Sequence, residues 1–250
     1  MGGGLFLYTM KRLYIFLIFL SAGILAFVFQ KHLRQYLAAG LQTAKGRKTV
    51  QDRLEQYNHT VRERLLPYFE TAKISYPPQK VILVGLKQEK ILEVWACGEQ
   101  GRFALIRTYP ILAASGRLGP KLREGDRQVP EGLYRIESLN PNSMFHLSLR
   151  LNYPNEFDCE QANLENRTNL GGDIMIHGSN VSIGCLAMGD QAAEDLFILA
   201  AETGIENITV ILSPVDFRKS NLPEVAHTLP EWTEALYEQI KQELSKLTDQ

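Results

Sequence analysis

A histidine and a cysteine lie eight positions apart in one glycine-rich stretch of the chain. The stretch covers residues 171–190, reads G-G-D-I-M-I-H-G-S-N-V-S-I-G-C-L-A-M-G-D, and contains His177 and Cys185. An imidazole that takes the proton of a nearby thiol converts that thiol into a nucleophile. Gly184 allows close backbone approach to a substrate, and the amide groups around Cys185 are candidate donors to an oxyanion. These residue types at this spacing indicate covalent catalysis by a cysteine.

Other interpretations of the same residues stay open on sequence alone. Cys185 could be a small buried apolar residue, and His177 could simply bond to a loop carbonyl. A zinc site could draw on His177, Cys185, Asp173 or His146, but no C-x-x-C or H-E-x-x-H spacing supports one. Ser182 lacks the strand-to-helix elbow of a serine nucleophile, so it is better suited to orienting the loop.

The elements that must position this pair form a mainly β pattern with flanking helices. An apolar run predicts a strand over residues 174–177 that ends at the histidine. Further strands are predicted over residues 81–84, 91–96, 102–109, 132–138, 143–151 and 208–212, the first three at the spacing of a meander. Residues 115–126 are too polar and too rich in glycine and proline for a core element.

Two helices are predicted in the C-terminal part of the chain. Asp190 is a suitable N-cap for a helix over residues 191–202, and Gly204 lies where that helix should end. The second helix begins near Pro230 and has an amphipathic pattern formed by Trp232, Leu236, Ile240 and Leu244.

An uncharged apolar run near the start of the chain predicts a membrane anchor. Residues 13–29 follow Lys11 and Arg12, and as a helix they would span about 26 Å, close to the ~30 Å hydrocarbon core of a bilayer. A cleaved signal peptide is the alternative, although no small-x-small site directly follows the run. Basic residues flank both ends of the run, so the charge pattern hardly decides its orientation.

The pattern divides the chain into four parts. These are a signal anchor or transmembrane segment over residues 1–30, a juxtamembrane helical stalk over 31–76, a catalytic domain over 77–214 and a C-terminal helical extension over 215–250. An apolar stripe at steps of three and four predicts that residues 50–65 pack on the domain and leaves 31–49 as the better linker. Its members are Val50, Leu54, Tyr57, Val61 and Leu65.

Composition narrows the possible partners. A hydrophobic share of 45% and a charged share of 22% indicate a packed core. The net charge of -1 offers no case for a nucleic-acid partner, and no cofactor is predicted. Three cysteines are too few for a disulfide scaffold, and Cys97 and Cys159 can form a disulfide only if the fold brings them together.

Two blocks of residues resemble the L,D-transpeptidase (YkuD-type) catalytic domain family. The first, His177-Gly178 followed by Ser182-Ile183-Gly184-Cys185, is similar to the family's upstream histidine and Ser/Thr-x-Gly-Cys segment. The second is similar to its yP…tG…GD…TPxGxY segment and consists of Tyr109-Pro110, Ser115-Gly116, Gly125-Asp126 and Pro130-Glu131-Gly132-x-Tyr134. The resemblance covers about residues 79–213 and looks closest to a proteobacterial, YafK-like branch.

The resemblance implies a β-sandwich-like fold and an enzyme that acts on peptidoglycan stem peptides. It implies that Cys185 attacks the L,D bond after diaminopimelate or lysine and forms an acyl-enzyme, with His177 as the base. The Gly178 carbonyl would orient the imidazole, and the amides of Gly184 and Cys185 would form the oxyanion hole. The acceptor would be an amine of a second stem peptide or of an outer-membrane lipoprotein.

The same resemblance implies a location. The catalytic domain would lie in the periplasm, held by a single-pass anchor in the inner membrane through residues 13–29. Cleavage of that segment as a signal peptide would instead release the domain into the periplasm.

The chain departs from the family pattern near the nucleophile. The interval from His177 to Cys185 is short, Ile183 replaces a common histidine, and residues 186–188 replace an arginine. Water could then be the acceptor, which would give a peptidase or amidase; a non-catalytic peptidoglycan-binding module is a third possibility.

Three more residues are candidates for substrate binding. These are Arg167, Tyr153 and Gly172. Arg167 could hold a stem-peptide carboxylate bidentately, or it could be a solvated loop arginine.

Overall fold

The structure is a computed structural model that describes residues 46–98, 101–225 and 227–247. The predicted anchor and most of the predicted linker fall on residues 1–45 and therefore lie outside the described residues. Within the described ranges, no helix has the length and apolarity needed to cross a membrane. The chain divides into the units Met1–Arg47 and Lys48–Gln250, and the helices and strands of the described residues belong to the second unit.

Nine strands of the described residues form one mixed sheet. Its strand order is β3-β2-β1-β9-β5-β6-β7-β8-β4. The strands are β1 Lys80–Leu86, β2 Ile91–Cys97, β3 Phe103–Pro110, β4 Ala113–Ala114, β5 Gly132–Ser143, β6 His146–Leu151, β7 Met175–His177, β8 Leu186–Ala187 and β9 Ile208–Ser213. The predicted meander of β1, β2 and β3 is confirmed, since both pairs are antiparallel.

One long strand joins the two halves of this sheet. The first residues of β5, 132–135, pair with β9, and residues 136–143 pair with β6. β9 in turn pairs in parallel with β1, so the N-terminal meander reaches the half that contains His177 only through β9 and β5. The predicted sheet with flanking helices is confirmed, as a single continuous mixed sheet, but the fold is not mainly β, because the described helices contain at least as many residues as the strands.

Helices cover both faces of the sheet. They are α1 Val50–Ala72, α2 Glu156–Leu164, α3 Asp190–Thr203 and α4 Thr233–Ser245, with a short 3₁₀ helix Ile205–Asn207. β1 alternates between the faces: Val81 and Leu83 join the core with α1 and α3, whereas Val84 and Leu86 join the core with α4. This alternation, together with burial on both sides, places β1 in the interior of the domain.

Helix α1 packs on the domain along its predicted apolar stripe. Thr49 and Asp52 form a capping box at its start. The helix continues through Pro67, which lies near the end of the predicted apolar stripe. It ends at Ala72 and is capped by Lys73, which has a left-handed backbone. Its last turn is anchored because Phe69 is 1% exposed in the core. The boundaries proposed for the four parts of the chain stay predictions.

Three short elements were not predicted from the sequence. Helix α2 has a capping box formed by Asn155 and Asp158, a signal that the sequence does contain. Strands β4 and β8 have two residues each, and β4 pairs with β8, which directly follows Cys185 in the chain. A two-residue strand has no period to detect, so only the fold defines it.

Candidate active site

Two adjacent parallel strands bring the histidine and the cysteine together. β7 and β8 pair with Ile176 opposite Leu186 and His177 opposite Ala187. Cys185 directly precedes β8, and alternate residues of a strand share a face. His177 and Cys185 therefore lie on the same face of neighbouring segments, offset by two residues.

The imidazole of His177 is buried and held in one orientation. The residue is 2% exposed, and its Nδ1 lies 2.6 Å from the Gly178 carbonyl oxygen. A carbonyl oxygen only accepts, so Nδ1 carries the proton and donates it, which leaves Nε2 as the basic atom. This is the contact with Gly178 that the family resemblance implies.

No side chain fits at Gly178. A Cβ there would lie 2.6 Å from Asp190 Oδ1 and 2.7 Å from the Phe145 carbonyl oxygen. The Asp190 carboxylate also accepts the Ser179 amide at 2.8 Å. Asp190 was predicted as the N-cap of α3, but it is the first helical residue, Gly189 occupies the cap without a side-chain bond, and the carboxylate turns back to the loop after His177.

Phe145 covers the imidazole from the turn between β5 and β6. Its ring stacks on that of His177 with centroids 4.8 Å apart and planes inclined by 28°. Phe145 remains 38% exposed, so it forms part of the surface beside His177. The sequence contains no signal for this contact, since a turn aromatic becomes part of the site only once β6 and β7 pair.

The thiol of Cys185 is half-buried and partly accessible. Sγ lies 3.5 Å from the Asp173 carbonyl oxygen, and no hydrogen bond within the described residues joins it to His177. Burial raises the pKa of this thiol, an effect that the backbone amide of Met175 partly offsets. The thiol form is therefore favoured before substrate arrives.

Burial also shifts the pKa of His177, in the direction opposite to that of the thiol. Burial lowers the pKa of His177, while the hydrogen bond to Gly178 opposes that shift. Desolvation penalises the charged form of each group, so both shifts favour a neutral thiol beside a neutral imidazole. A neutral pair of this kind is able to activate a thiol by transferring its proton during attack.

Two serine hydroxyls occupy the amides that were predicted to form the oxyanion hole. The Gly184 amide donates to Ser115 Oγ at 2.6 Å, and the Cys185 amide donates to Ser182 Oγ at 3.1 Å. Ser182 Oγ also donates to the Cys185 carbonyl oxygen at 2.5 Å. Ser182 thus orients the loop, and a developing oxyanion would have to displace these hydroxyls from both amides.

Several non-glycine residues around the site have left-handed backbone conformations. They are Arg127 (φ 55°), His146 (φ 74°), Asp173 (φ 55°) and Ser179 (φ 64°). Such conformations cost roughly 1–3 kcal/mol for most residue types and persist where the surrounding structure enforces them. Their concentration in the loops beside His177 and Cys185 indicates that these loops are held in a defined shape.

The three residues predicted to bind substrate have different surroundings. Tyr153 is 4% exposed, with its hydroxyl near the carbonyl oxygens of Lys121 and Leu170, so it supports the site from within the core. Arg167 is half-buried and lines a cavity. Gly172 lies against the Tyr153 backbone with room for a side chain.

A network of buried ion pairs holds helix α3, which follows Cys185, against the rest of the domain. Asp195 of α3 has no exposed side-chain surface and pairs with Arg64 of α1 at 2.6 Å and Arg107 of β3 at 3.4 Å. The Tyr109 hydroxyl donates to the same carboxylate at 2.9 Å. The Asp195 carboxylate therefore links helices α1 and α3 and strand β3.

No metal centre is evident in the described ranges. Within them, no group of three or more His, Cys, Asp or Glu side chains is placed to hold an ion. The three cysteines are free: Cys97 is buried and Cys159 is exposed, so the possible disulfide between them is not formed.

Comparison with known proteins finds sequences related to this chain. Residues 79–211 match the model of the YkuD L,D-transpeptidase catalytic domain. The chain is 37% identical over 114 residues to "Putative L,D-transpeptidase YafK" of Escherichia coli K12, a match that covers 44% of this chain. The same identity and coverage hold for the protein of that name in Escherichia coli O157:H7. The chain spans 43% of the length of these curated relatives.

Two solved structures are similar to parts of this chain. The helical cell shape determining protein Pgp2 of Campylobacter jejuni is 24% identical, with a TM-score of 0.45 over 56% of this chain and 50% of that one. Bd1075 of Bdellovibrio bacteriovorus is 19% identical, with a TM-score of 0.40 over 70% of this chain and 57% of that one. Because the family model matches more than half of the sequence, in the region that holds His177 and Cys185, the chain belongs to the L,D-transpeptidase catalytic domain family.

Proposed function

We propose that this protein is a cysteine-dependent L,D-transpeptidase that acts on peptidoglycan stem peptides. The observation that carries the proposal is the buried His177, whose Nε2 is left basic by the bond from Nδ1 to Gly178, on the same face as the accessible Cys185. Membership of the family supports the substrate class.

The reaction balances with these two side chains. Sγ of Cys185 attacks the carbonyl carbon of the L,D bond while Nε2 of His177 accepts the thiol proton. The carbon–nitrogen bond breaks, His177 returns the proton to the leaving amine, and a thioester remains on Cys185. An amine from a second stem peptide, or from an outer-membrane lipoprotein, then attacks the thioester and restores the thiol.

Water is a second candidate acceptor. Ile183, at the position where many family members have a histidine, is 76% exposed and offers no polar group to an incoming amine. Hydrolysis of the thioester would then give a free acid and make the protein a peptidoglycan peptidase or amidase.

Product analysis tests both candidates. Tetrapeptide stems, with and without an amine acceptor, are incubated with the wild type and with Cys185→Ala, and the products are identified by mass spectrometry. Cys159→Ala is the matched control, because Cys159 is an exposed free cysteine outside the site. Amine-exchanged products in excess support the transferase, and free acids in excess support the hydrolase. Absence of any Cys185-dependent product would contradict both, and retained binding to sacculi would then favour a non-catalytic peptidoglycan-binding module.

We further propose that residues 13–29 anchor the protein in the inner membrane with its catalytic domain in the periplasm. The uncharged apolar run supports this, as does the periplasmic location of the proposed substrate. Protease added to whole cells should leave the domain intact, and protease added to spheroplasts, whose outer membrane is opened, should remove it. Intact-mass measurement of the membrane-bound protein would reveal signal cleavage.

A further inference from the structure

A large cavity beside the nucleophile loop has no part in the chemical steps assigned to His177 and Cys185. Its volume is about 990 Å³, within the range of sites that bind small ligands. Three parts of the chain line it: the loop between β4 and β5, the residues after α2, and the segment before α4.

The lining of this cavity is cationic. Arg117, Arg123 and Arg167 contribute to it, and the only carboxylate in the described lining is Asp126. Asp126 is already satisfied, because it pairs with Lys121 Nζ at 2.6 Å and accepts three backbone N–H groups of its own loop. Within the described lining, no free carboxylate is therefore left to pair with Arg117 or Arg123.

The three guanidinium groups differ in how they are held. Arg167 is fixed, since its Nη1 donates to the Leu122 carbonyl oxygen at 2.9 Å and its Nε to Glu165 at 2.6 Å. Arg117 and Arg123 are exposed, and within the described part of the chain neither side chain has an ion pair or a hydrogen bond. Planar guanidinium groups with free donors match carboxylates bidentately.

The cavity wall contacts the loop that carries Cys185. Gly116 and Gln128 line it, and Ser115, which precedes Gly116, accepts the amide of Gly184 at 2.6 Å. The Gln128 carbonyl oxygen would lie 3.5 Å from a Cβ at Gly184. The segment that forms the cavity wall therefore also contacts the residue before Cys185, which places the cavity next to the loop that carries the thiol.

We propose that this cavity binds the carboxylates of the donor stem peptide on the side away from the bond that is cleaved, with Arg117 and Arg123 as the principal contacts. The identity of the peptide rests on the proposed function. A stem peptide with glutamate and diaminopimelate presents more than one carboxylate, which suits an array of arginines better than a single one.

Binding can be measured without turnover in the full chain that has Cys185→Ala. The probe is the tripeptide L-Ala-γ-D-Glu-diaminopimelate, titrated by calorimetry and compared with the same peptide amidated at its carboxylates and with inorganic phosphate. In this background, Arg117→Gln with Arg123→Gln should weaken tripeptide binding about tenfold, and amidation should have a similar effect. Arg135→Gln is the matched control, because Arg135 is exposed on β5 and does not line the cavity.

Turnover provides a separate readout with Cys185 intact. The double arginine variant should raise KM about tenfold and leave kcat within twofold, because the removed contacts lie away from the reacting atoms. Unchanged tripeptide affinity in that variant, or binding of phosphate in preference to the tripeptide, would overturn the proposal. If the wild type forms no Cys185-dependent product while tripeptide binding still depends on the arginines, the proposed function fails and the cavity assignment stands.

Discussion

The ring of Phe145 stacks on the imidazole of His177, with 4.8 Å between their centroids. This contact excludes water from one face of the base, and burial is the main cause of the lowered pKa of His177. A turn residue outside both family motifs therefore helps to set the proton affinity of His177, the proposed base.

Phe145→Ala should move the acidic limb of the activity profile to higher pH. Loss of the ring lets water reach the imidazole, which raises the pKa of His177 and leaves less of the neutral base at a given acidic pH. Loss of the stacking contact should also lower kcat/KM about fivefold, as expected for about 1 kcal/mol. The profile of kcat/KM from about pH 4 to 9 gives both quantities.

Met144→Ala is the control for that measurement. Met144 is the neighbouring turn residue and is 69% exposed. An identical shift in both variants would mean that the turn as a whole is responsible, and an unchanged profile in Phe145→Ala would show that Phe145 does not influence the base.

Alkylation of Cys185 should require a higher pH than alkylation of glutathione. Burial raises the pKa of the thiol, so the reactive thiolate is scarce at neutral pH. The rate of reaction with iodoacetamide, followed by mass spectrometry in a Cys159→Ser background, measures this directly. His177→Asn should leave that pH dependence largely unchanged while it lowers kcat about a thousandfold. Rapid alkylation at acidic pH that disappears in His177→Asn would instead demonstrate a preformed thiolate–imidazolium pair.

Ser182→Ala should loosen the nucleophile loop. Its hydroxyl accepts the Cys185 amide and donates to the Cys185 carbonyl oxygen, so the change removes two bonds and lowers the free energy of unfolding by about 1–2 kcal/mol. Urea denaturation measures the loss. Ser182→Thr keeps the oxygen and should retain most of the stability, so an equal loss in both variants would argue against the hydroxyl as the cause.

Asp126→Asn should destabilise the loop between β4 and β5. Burial alone would raise the pKa of Asp126, but Lys121 and the backbone amides hold it below its usual value. Removing the charge leaves Lys121 buried without its partner, at a cost of about 3 kcal/mol.

The pH dependence of that loss has a defined sign. A carboxyl group whose pKa is lowered by folding stabilises the native state above its unfolded pKa, and this stabilisation is lost as the pH falls. The difference in stability between the wild type and Asp126→Asn should therefore shrink below about pH 4. Thermal unfolding between about pH 3 and 7 measures this. Glu124→Gln, an exposed change in the same loop, should have little effect; a difference independent of pH would point away from the carboxylate charge.

Local patterns were sufficient to predict where the two candidate catalytic residues lie in the fold. His177 ends an apolar strand and Cys185 follows a glycine, and both features can be seen in a single stretch. The apolar stripe on α1 likewise depends on near neighbours in the chain. These predictions agree with the structure because each depends on one element and its period.

Contacts between distant segments could not be predicted in this way. Ser115 reaches the Gly184 amide across 69 positions, and Phe145 reaches His177 only because β6 pairs with β7. Tyr153 was expected to contact substrate, yet the fold places its ring in the core. These contacts depend on how distant segments pair and pack, and a local sequence pattern does not encode that pairing.

The position of β9 has a consequence for how the chain folds during synthesis. β9 pairs with β1 on one side and with β5 on the other, although it is the last of the described strands to be translated. The centre of the sheet therefore stays open until Ile208–Ser213 has left the ribosome, and early collapse around β1 alone cannot produce the native arrangement. The topology delays completion of the domain until almost all of its residues have been made.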